Sequence, residues 1–228
     1  MRIYAHRGAS GEFPEGSQAA YLAAIEQGAD GFECDVRLTK DKQIICYHDK
    51  DTKRLSNLDL KIADTNYEQL KKAINPFKLE ELLDLAINSK KDLVIESKHP
   101  VPTGGEIERL VHKLLKNKSK EIEQSGIQIL LISFSLLATL RNKRGPYQSG
   151  LLISKKYLAR FNPTNLVATN IGIIKADHLF ALNQIRRGKK VIVWTVNNEN
   201  DLKLCQDLGV DAVITDYPAR ARKILGYP

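Results

Sequence analysis

Short runs of apolar and β-branched residues recur along the chain, and each run predicts a buried strand. The runs are RIYAH (2–6), GFECDV (31–36), DLVIE (92–96), IQILLIS (127–133), QSGLLIS (148–154), LVATN (166–170), KVIVWTV (190–196) and DAVIT (211–215). Between most of them lie segments with apolar residues at helical spacing, such as SQAAYLAAIEQG and NENDLKLCQDLG, and several of these segments end in glycine. Strands and helices therefore alternate along most of the chain.

This alternation determines the fold class that we expect. Eight strands alternating with helices within 228 residues predict an α/β protein that forms a single TIM (β/α)8 barrel. A doubly wound open sheet uses the same elements, but no GxGxxG follows the first strand, so the dinucleotide-binding form of that fold is not indicated. No low-complexity segment or proline-rich linker divides the sequence. We therefore expect one domain over residues 1–228.

Residues 43–78 are the least regular part of the pattern. The run QIICYHD predicts a hairpin-like return after the second strand, and a long loop follows until helical spacing resumes at Leu79. This loop is a short insertion in an otherwise regular barrel. Because long loops in compact domains are commonly functional, we expect it to shape a site.

Composition narrows the class of protein further. The sequence contains no run of about 18 apolar residues, and its first residues, MRIYAHRG, lack the pattern of a secretory signal. We therefore expect a cytoplasmic protein without a membrane span. The three cysteines (Cys34, Cys46 and Cys205) are widely spaced and include no CxxC pair, so we expect buried thiols and neither disulfides nor a zinc site.

The net charge of +8 indicates an anionic partner. A phosphate ester, transient contact with anionic lipid and nucleic acid all fit this charge, and a solvated basic surface fits it equally well. Because the aromatic residues are not interleaved with the basic clusters, we expect no nucleic-acid partner. One such basic cluster comprises Arg186, Arg187, Lys189 and Lys190.

Several residues that could perform chemistry lie at the predicted carboxyl ends of strands, which meet at one mouth in a barrel. His6 ends the first strand, and Glu33 and Asp35 lie two residues apart near the end of the second, so both carboxylates should point to the same face. Glu96 ends the third long strand, and Lys98 follows two residues later on the same side. Three carboxylates together favour a hard cation, Mg²⁺ or Ca²⁺.

Each of these residues also has a simpler interpretation when it is taken alone. Glu33 and Asp35 fit a solvated strand edge, Glu96 with Lys98 fits a surface ion pair, and His6 fits a packed histidine. The same holds for His48, which follows the predicted hairpin. Their shared position at one predicted face favours a functional site. The remaining histidines lie outside this face and are interpreted as structural or solvent-facing: His99, His112 and His178.

Taken together, these motifs resemble the glycerophosphodiester phosphodiesterase family. The matching stretches run in the expected order along nearly the whole chain: HRG at 6–8, PEGS at 14–17, FECDVRLTKD at 32–41, YHDKDTKRLSN at 47–57, LEELLDLA at 79–86, IESK at 95–98, WTVN at 194–197 and GVDAVITDYP at 209–218. The resemblance implies a TIM barrel, in agreement with the strand count. It also implies hydrolysis of a glycerophosphodiester, a small-molecule substrate, to glycerol 3-phosphate and an alcohol.

The resemblance also implies roles for individual residues. His6 and His48 would be the acid–base pair, and Arg7 and Lys98 would contact the phosphate. The glycerol hydroxyl next to the phosphate would act as an internal nucleophile, and water would open the resulting cyclic phosphate. The metal ligands would be Glu33, Asp35 and Glu96.

Three positions near the site extend these expectations. PEGS stands where the family usually has PENT, so the loop lacks an asparagine, although Ser17 can still cap the following helix. We expect Gly8 to let the backbone turn close to the ligand. Trp194 would line the alcohol side of the site as a substrate-binding residue, and a core tryptophan fits the same position.

Alternative functions use the same residues. One is a lysophospholipase D or a hydrolase of polyglycerolphosphate polymers such as teichoic acid. Another is a barrel that binds anions without turnover, which the complete set of candidate catalytic residues disfavours.

Overall fold

Nine strands form along the chain in the computed structural model, which describes residues 1–228. They are β1 (Arg2–His6), β2 (Gly31–Leu38), β3 (Ile44–Cys46), β4 (Asp92–Ser97), β5 (Ile129–Ser133), β6 (Gln148–Ile153), β7 (Leu166–Asn170), β8 (Lys190–Trp194) and β9 (Ala212–Thr215). Eight of them pair in parallel in the order β1–β9–β8–β7–β6–β5–β4–β2, and β1 pairs with β2 to close the ring. The predicted TIM barrel is confirmed.

Helices surround the barrel on the outside. They are α1 (Gln18–Glu26), α2 (Lys53–Ser56), α3 (Tyr67–Ile74), α4 (Leu79–Ser89), α5 (Glu106–Asn117), α6 (Ser119–Ser125), α7 (Leu136–Asn142), α8 (Ile171–Ala176), α9 (His178–Arg186), α10 (Glu199–Asp207) and α11 (Pro218–Leu225). One connection differs, because β6 and β7 are joined by a 3₁₀ segment, Lys156–Phe161, instead of an α-helix. No helix has both the length and the apolar character needed to cross a bilayer.

The irregular stretch after β2 contains more structure than its sequence pattern indicates. The expected hairpin forms, since β3 pairs antiparallel with β2. The expectation that helical structure resumes only at Leu79 is wrong, because α2, a 3₁₀ turn at Ile62–Asp64 and α3 all precede it. A small separate apolar cluster holds this segment together, and its buried members are Ile45, Tyr47, Ile62, Tyr67 and Leu70. These residues are too dispersed in sequence to produce a periodic pattern.

Strand register places the polar site at one end of the barrel interior. Apolar side chains from seven strands fill the interior, among them Tyr4 of β1 and Val94 of β4, but β2 contributes none. Because Glu33 is paired in register with the inward-facing Val94, Glu33 and Asp35 point inward as well. The alternate residues of β2, such as Phe32, pack outward beneath the helices. The three cysteines are free and buried, as expected.

Candidate active site

Three carboxylates from two neighbouring strands form the centre of the site. Asp35 of β2 is paired in register with Glu96 of β4, and Glu33 lies two residues before Asp35 on the same face. All three residues are buried. Each offers one oxygen atom, and these oxygens all lie within 4.8 Å of one another. The expected carboxylate pocket is therefore present in the structure.

Two cationic side chains contact different oxygens of Asp35. The Arg7 Nε atom lies 2.7 Å from Asp35 Oδ2, and the Lys98 Nζ atom lies 2.8 Å from Asp35 Oδ1. Lys98 Nζ also lies 2.8 Å from Glu96 Oε1. Burial opposes ionisation of Asp35, but the charges of Arg7 and Lys98 outweigh it and hold the pKa of Asp35 well below its usual range. Asp35 is thus the most firmly ionised of the three.

The other two carboxylates are incompletely compensated. Burial, reinforced by the neighbouring Asp35, raises the pKa of Glu33 to about 7 and raises the pKa of Glu96 above its ordinary value. Glu33 Oε2 is buried without a hydrogen-bond donor. A buried oxygen without a donor, within a group of three neighbouring carboxylates, is the kind of site that a hard divalent cation would satisfy. The residues therefore fit Mg²⁺ or Ca²⁺.

His6 lies beside this cluster and is oriented by a residue from the other end of the chain. Its Nδ1 atom is 2.7 Å from Asp216 Oδ1, and its Nε2 atom is 3.9 Å from Glu33 Oε2. Burial lowers the pKa of His6, but the hydrogen bond to Asp216 and the charge of Glu33 outweigh burial and raise it. Because an ionised carboxylate can only accept, Nδ1 carries a hydrogen and Nε2 is the atom free for chemistry.

His48 has the same arrangement. Its Nδ1 atom lies 2.6 Å from Asp49 Oδ1, so its Nε2 atom is likewise free. Burial lowers the pKa of His48. Arg54 Nε donates to Asp49 Oδ2 at 2.5 Å and fixes that carboxylate.

The two aspartates that orient the histidines were not predicted from the sequence. Asp216 directly follows β9, accepts hydrogen bonds from Asn197 Nδ2 at 2.5 Å and Ser10 Oγ at 3.1 Å, and lies within the TDYP stretch. Asp49 is the second residue of the HD pair. An acidic residue at the carboxyl end of a strand identified Glu96, and the same signal, applied to the residue directly after a strand, could have identified Asp216.

A second network ties the first loop to the insertion. Glu15 Oε1 accepts from Arg7 Nη1 at 2.8 Å and from Arg54 Nη2 at 2.7 Å, and Glu15 Oε2 accepts from Arg54 Nη1 at 2.8 Å. Arg7 itself has φ of 56°, a strained conformation for a residue with a side chain. In the PEGS stretch, Glu15 therefore holds both arginines, and Ser17 caps α1 by accepting from Ala20 N at 3.2 Å.

Gly8 lies at the turn that follows Arg7, and its conformation has a structural cause. Gly8 adopts φ of +84°, so the backbone does turn here. A Cβ atom on Gly8 would lie 2.5 Å from the backbone carbon of Ala20 in α1. Gly8 therefore permits a close approach of this turn to α1.

A cavity of about 660 Å³ opens at this end of the barrel, and its lining includes His48, Glu96, Lys98 and Phe134. Trp194 ends β8 and is half-buried, and its ring meets Phe134 edge-on with 5.5 Å between centroids. Trp194 thus packs against the barrel interior and contacts Phe134, which lines the cavity. A cavity of about 500 Å³ near Lys143 and Lys190, at the amino ends of the strands, contains neither histidine nor carboxylate and therefore lacks this chemistry.

The three other histidines lie outside the carboxylate cluster. His99 lines the rim of the cavity, but its Nε2 atom is engaged by Glu108 Oε1 at 2.6 Å. His112 lies within α5, and His178 begins α9. None of the three contacts Glu33, Asp35 or Glu96 through an ion pair.

Comparison with known proteins identifies the family. The model of the glycerophosphoryl diester phosphodiesterase family matches residues 6–220. The chain is 30% identical to the glycerophosphodiester phosphodiesterase of Bacillus altitudinis, covering 98% of this chain and 97% of the relative. It is 27% identical to a lysophospholipase D of Rattus norvegicus, covering 98% and 86%. The crystal structure of a glycerophosphodiester phosphodiesterase from Thermotoga maritima superposes with a TM-score of 0.82 at 25% identity, covering 98% of both chains. The chain therefore belongs to the glycerophosphoryl diester phosphodiesterase family.

Proposed function

We propose that this protein hydrolyses glycerophosphodiesters to glycerol 3-phosphate and an alcohol, in a site built from His6, His48 and the three buried carboxylates. The observation that supports this most strongly is the pair of histidine–aspartate contacts beside the carboxylate cluster. Both histidines present a free Nε2 atom, which is the arrangement that a two-proton reaction needs. We further propose that residues 1–228 act as one catalytic domain.

The two histidines would move the protons of this reaction. In the first step, the glycerol hydroxyl next to the phosphate loses its proton to one imidazole and forms a bond to phosphorus. The bond from phosphorus to the alcohol breaks, and the departing oxygen receives a proton from the other imidazole. Water then opens the cyclic phosphate with the histidine roles reversed, which restores both to their starting states.

Asp216 and Asp49 would act as positioning residues. Each holds the Nδ1–H of its histidine and thereby keeps Nε2 directed toward substrate. Each carboxylate also stabilises the imidazolium that forms when its histidine accepts a proton.

The charged residues around Asp35 would bind the phosphate of the substrate and a divalent cation. Arg7 and Lys98 are held between the carboxylates, where their charges can also neutralise the phosphate oxygens of a bound substrate. Glu33, Asp35 and Glu96 would hold a divalent cation, Mg²⁺ or Ca²⁺. When bound, the cation supplies positive charge that stabilises the phosphate oxygens in the transition state.

The test is an assay with glycerophosphocholine and glycerophosphoethanolamine, with and without EDTA, in which glycerol 3-phosphate is measured. We expect turnover that chelation abolishes. His6→Ala and His48→Ala should each lower the rate by about two decades or more. His112→Ala is the matched control, because His112 lies in α5 outside the site, and it should leave the rate unchanged. If neither His6→Ala nor His48→Ala lowers the rate, the assignment of this site as the active site is overturned.

A second candidate, hydrolysis of lysophospholipids at the same site, is favoured by one observation. Phe134 and Trp194 form an apolar wall beside the cavity, on which an acyl chain can lie. In the assay, release of choline from lysophosphatidylcholine would identify this activity.

A further inference from the structure

The exposed apolar side chains are distributed unevenly over the barrel. Eleven large apolar residues are exposed. Only Leu22 and Leu140 lie in the middle of helices, in α1 and α7. Leu179 lies in the first turn of α9, which follows the short helix α8. The others lie in loops and first helical turns that follow strands, at or near the end that holds the active site. Exposed apolar residues concentrated on one face mark an interaction surface.

The 3₁₀ segment between β6 and β7 is the clearest part of this surface. None of its residues is buried. Leu158 and Ala159 pack against the outer core, whereas Tyr157 and Phe161 are 57% and 49% exposed. The loop SKKYLARFNPTN (154–165) carries three cations and no carboxylate. It therefore has an anchored side and an outer side that combines aromatic rings with positive charge.

The cations of this segment are available to an external partner. Lys156 pairs with Asp177. Lys155 and Arg160, in contrast, have no carboxylate within ion-pair distance anywhere in the chain. The Arg160 guanidinium instead lies over the Phe161 ring, 4.5 Å from its centroid. An uncompensated cation beside an exposed aromatic ring is suited to the headgroup region of a membrane.

This surface is continuous with the catalytic cavity. Phe134 directly follows β5, and its ring meets that of Trp194 at the end of β8. Because β6 and β7 lie between these two strands, the rings meet across the mouth of the barrel. Phe134 also lines the cavity that contains His48 and Lys98. Leu136 and Leu137 extend the apolar surface outward on the first turn of α7.

We propose that the mouth patch, defined as Phe134, Leu136, Leu137, Tyr157 and Phe161, docks onto the surface of an anionic lipid bilayer. The apolar side chains would enter the interfacial region while Lys155 and Arg160 meet lipid phosphates. Charge favours a bilayer over a second copy of the chain, because a symmetric dimer would bring the uncompensated cations of two patches together. The proposal concerns binding and does not depend on the catalytic assignment.

The fluorescence of a tryptophan at the mouth can report this contact. Trp194 is the single tryptophan and lies at the mouth, so its fluorescence reports whether lipid approaches this end of the barrel. The protein is mixed with vesicles of phosphatidylcholine containing about 30% phosphatidylglycerol, and binding is measured by co-sedimentation. Vesicles with brominated acyl chains then test for quenching of Trp194. We expect binding with quenching, and binding weakened about tenfold or more on neutral phosphatidylcholine vesicles.

The key variant is the double change Tyr157→Ser with Phe161→Ser. We expect it to lower vesicle binding about tenfold or more and to leave hydrolysis of soluble glycerophosphocholine unchanged, because neither residue belongs to the catalytic machinery. Leu22→Ser is the matched control, since Leu22 is exposed to a similar extent on the barrel flank, and it should bind vesicles like the unmodified protein. Melting temperatures establish that all three proteins are folded.

Four results would overturn the proposal. One is a lack of vesicle binding by the unmodified protein. A second is binding without quenching of Trp194, which would place the contact at another surface such as the basic cluster at 186–190. A third is equal loss of binding in Leu22→Ser and in the double variant. The fourth is a concentration-dependent dimer in light scattering that the double variant abolishes, which would assign the patch to self-association. If the unmodified protein did not hydrolyse glycerophosphocholine, that result would contradict only the proposed catalytic function.

Discussion

The Nδ1 atom of His6 lies 2.7 Å from Oδ1 of Asp216, although 210 positions separate the two residues in the chain. The contact follows from closure of the barrel. The last strand, β9, pairs in parallel with the first, and Ala5 is in register with Thr215, so the residues that follow them meet at the mouth. The ends of the chain thereby assemble one half of the proposed acid–base machinery.

This contact predicts that Asp216→Asn lowers kcat/KM about a hundredfold or more while the fold is retained. The amide can no longer stabilise an imidazolium, and it can also donate to Nδ1, which would move the hydrogen to Nε2. The measurement is the steady-state rate on glycerophosphocholine together with its pH profile, which should change in shape. Ser10→Ala is the control, because Ser10 donates to the same carboxylate at 3.1 Å but leaves the His6 contact intact. A rate for Asp216→Asn within a fewfold of the unmodified protein would contradict the positioning role.

The carboxylate cluster could be predicted from the sequence because its geometry is largely local. The spacing of two between Glu33 and Asp35 fixes their common direction within one strand. Glu96 and Lys98 repeat this spacing on the neighbouring strand, and strand pairing in an eight-stranded barrel brings them together. The periodicity of the strands and their order in the barrel were sufficient to predict the carboxylate cluster.

The orienting residues could not be predicted in the same way. Whether Asp216 reaches His6 depends on the register between β1 and β9, and apolar strand sequences do not specify that register by themselves. The link from Glu15 to Arg54 depends on the path of the insertion, which a dispersed cluster around Ile62 and Leu70 determines. Neither feature has a periodic signature in the sequence.

The incompletely compensated carboxylates predict that a divalent cation stabilises the fold. After chelation, adding Mg²⁺ or Ca²⁺ to about a hundredfold above its dissociation constant should contribute about 2.7 kcal/mol, which raises the melting temperature by about 5–10 °C. Glu96→Gln should remove this response. It should not lower the melting temperature of the metal-free protein, because burial already disfavours the charge on Glu96.

Asp59→Asn is the control for this experiment. Asp59 is an exposed carboxylate in the insertion that pairs with Lys53, outside the cluster, so its variant should keep the full response to the cation. An unmodified protein whose melting temperature does not respond to either cation would contradict the assignment of the cluster as a metal site.

The backbone at Gly8 predicts a large effect from a small side chain. Alanine at this position would combine a left-handed conformation with a Cβ atom 2.5 Å from the Ala20 backbone. We expect Gly8→Ala to lower the free energy of unfolding by more than about 2 kcal/mol. Gly126→Ala separates the two causes, since Gly126 has a similar φ of +73° and nothing within 4 Å of its Cβ position. It should cost about 1 kcal/mol. Equal losses in urea unfolding would exclude contact with α1 as the cause.

The network around Glu15 predicts a stability difference that depends on pH. Burial raises the pKa of Glu15, but the hydrogen bonds and charges of Arg54 and Arg7 outweigh burial and lower it below its ordinary value of 4.5. Because the folded-state pKa is the lower one, ionised Glu15 stabilises the fold above the unfolded-state pKa, and this contribution is lost as the pH falls through the folded-state pKa.

Glu15→Gln should therefore reduce the free energy of unfolding by about 1–2 kcal/mol at about pH 7, and the reduction should shrink toward about pH 3. Glu12→Gln, an exposed change in the same loop, should have little effect at either pH. A reduction of the same size at both pH values would show that Glu15 acts through hydrogen bonding alone, and the charge of the two arginines would then contribute nothing to joining the loops.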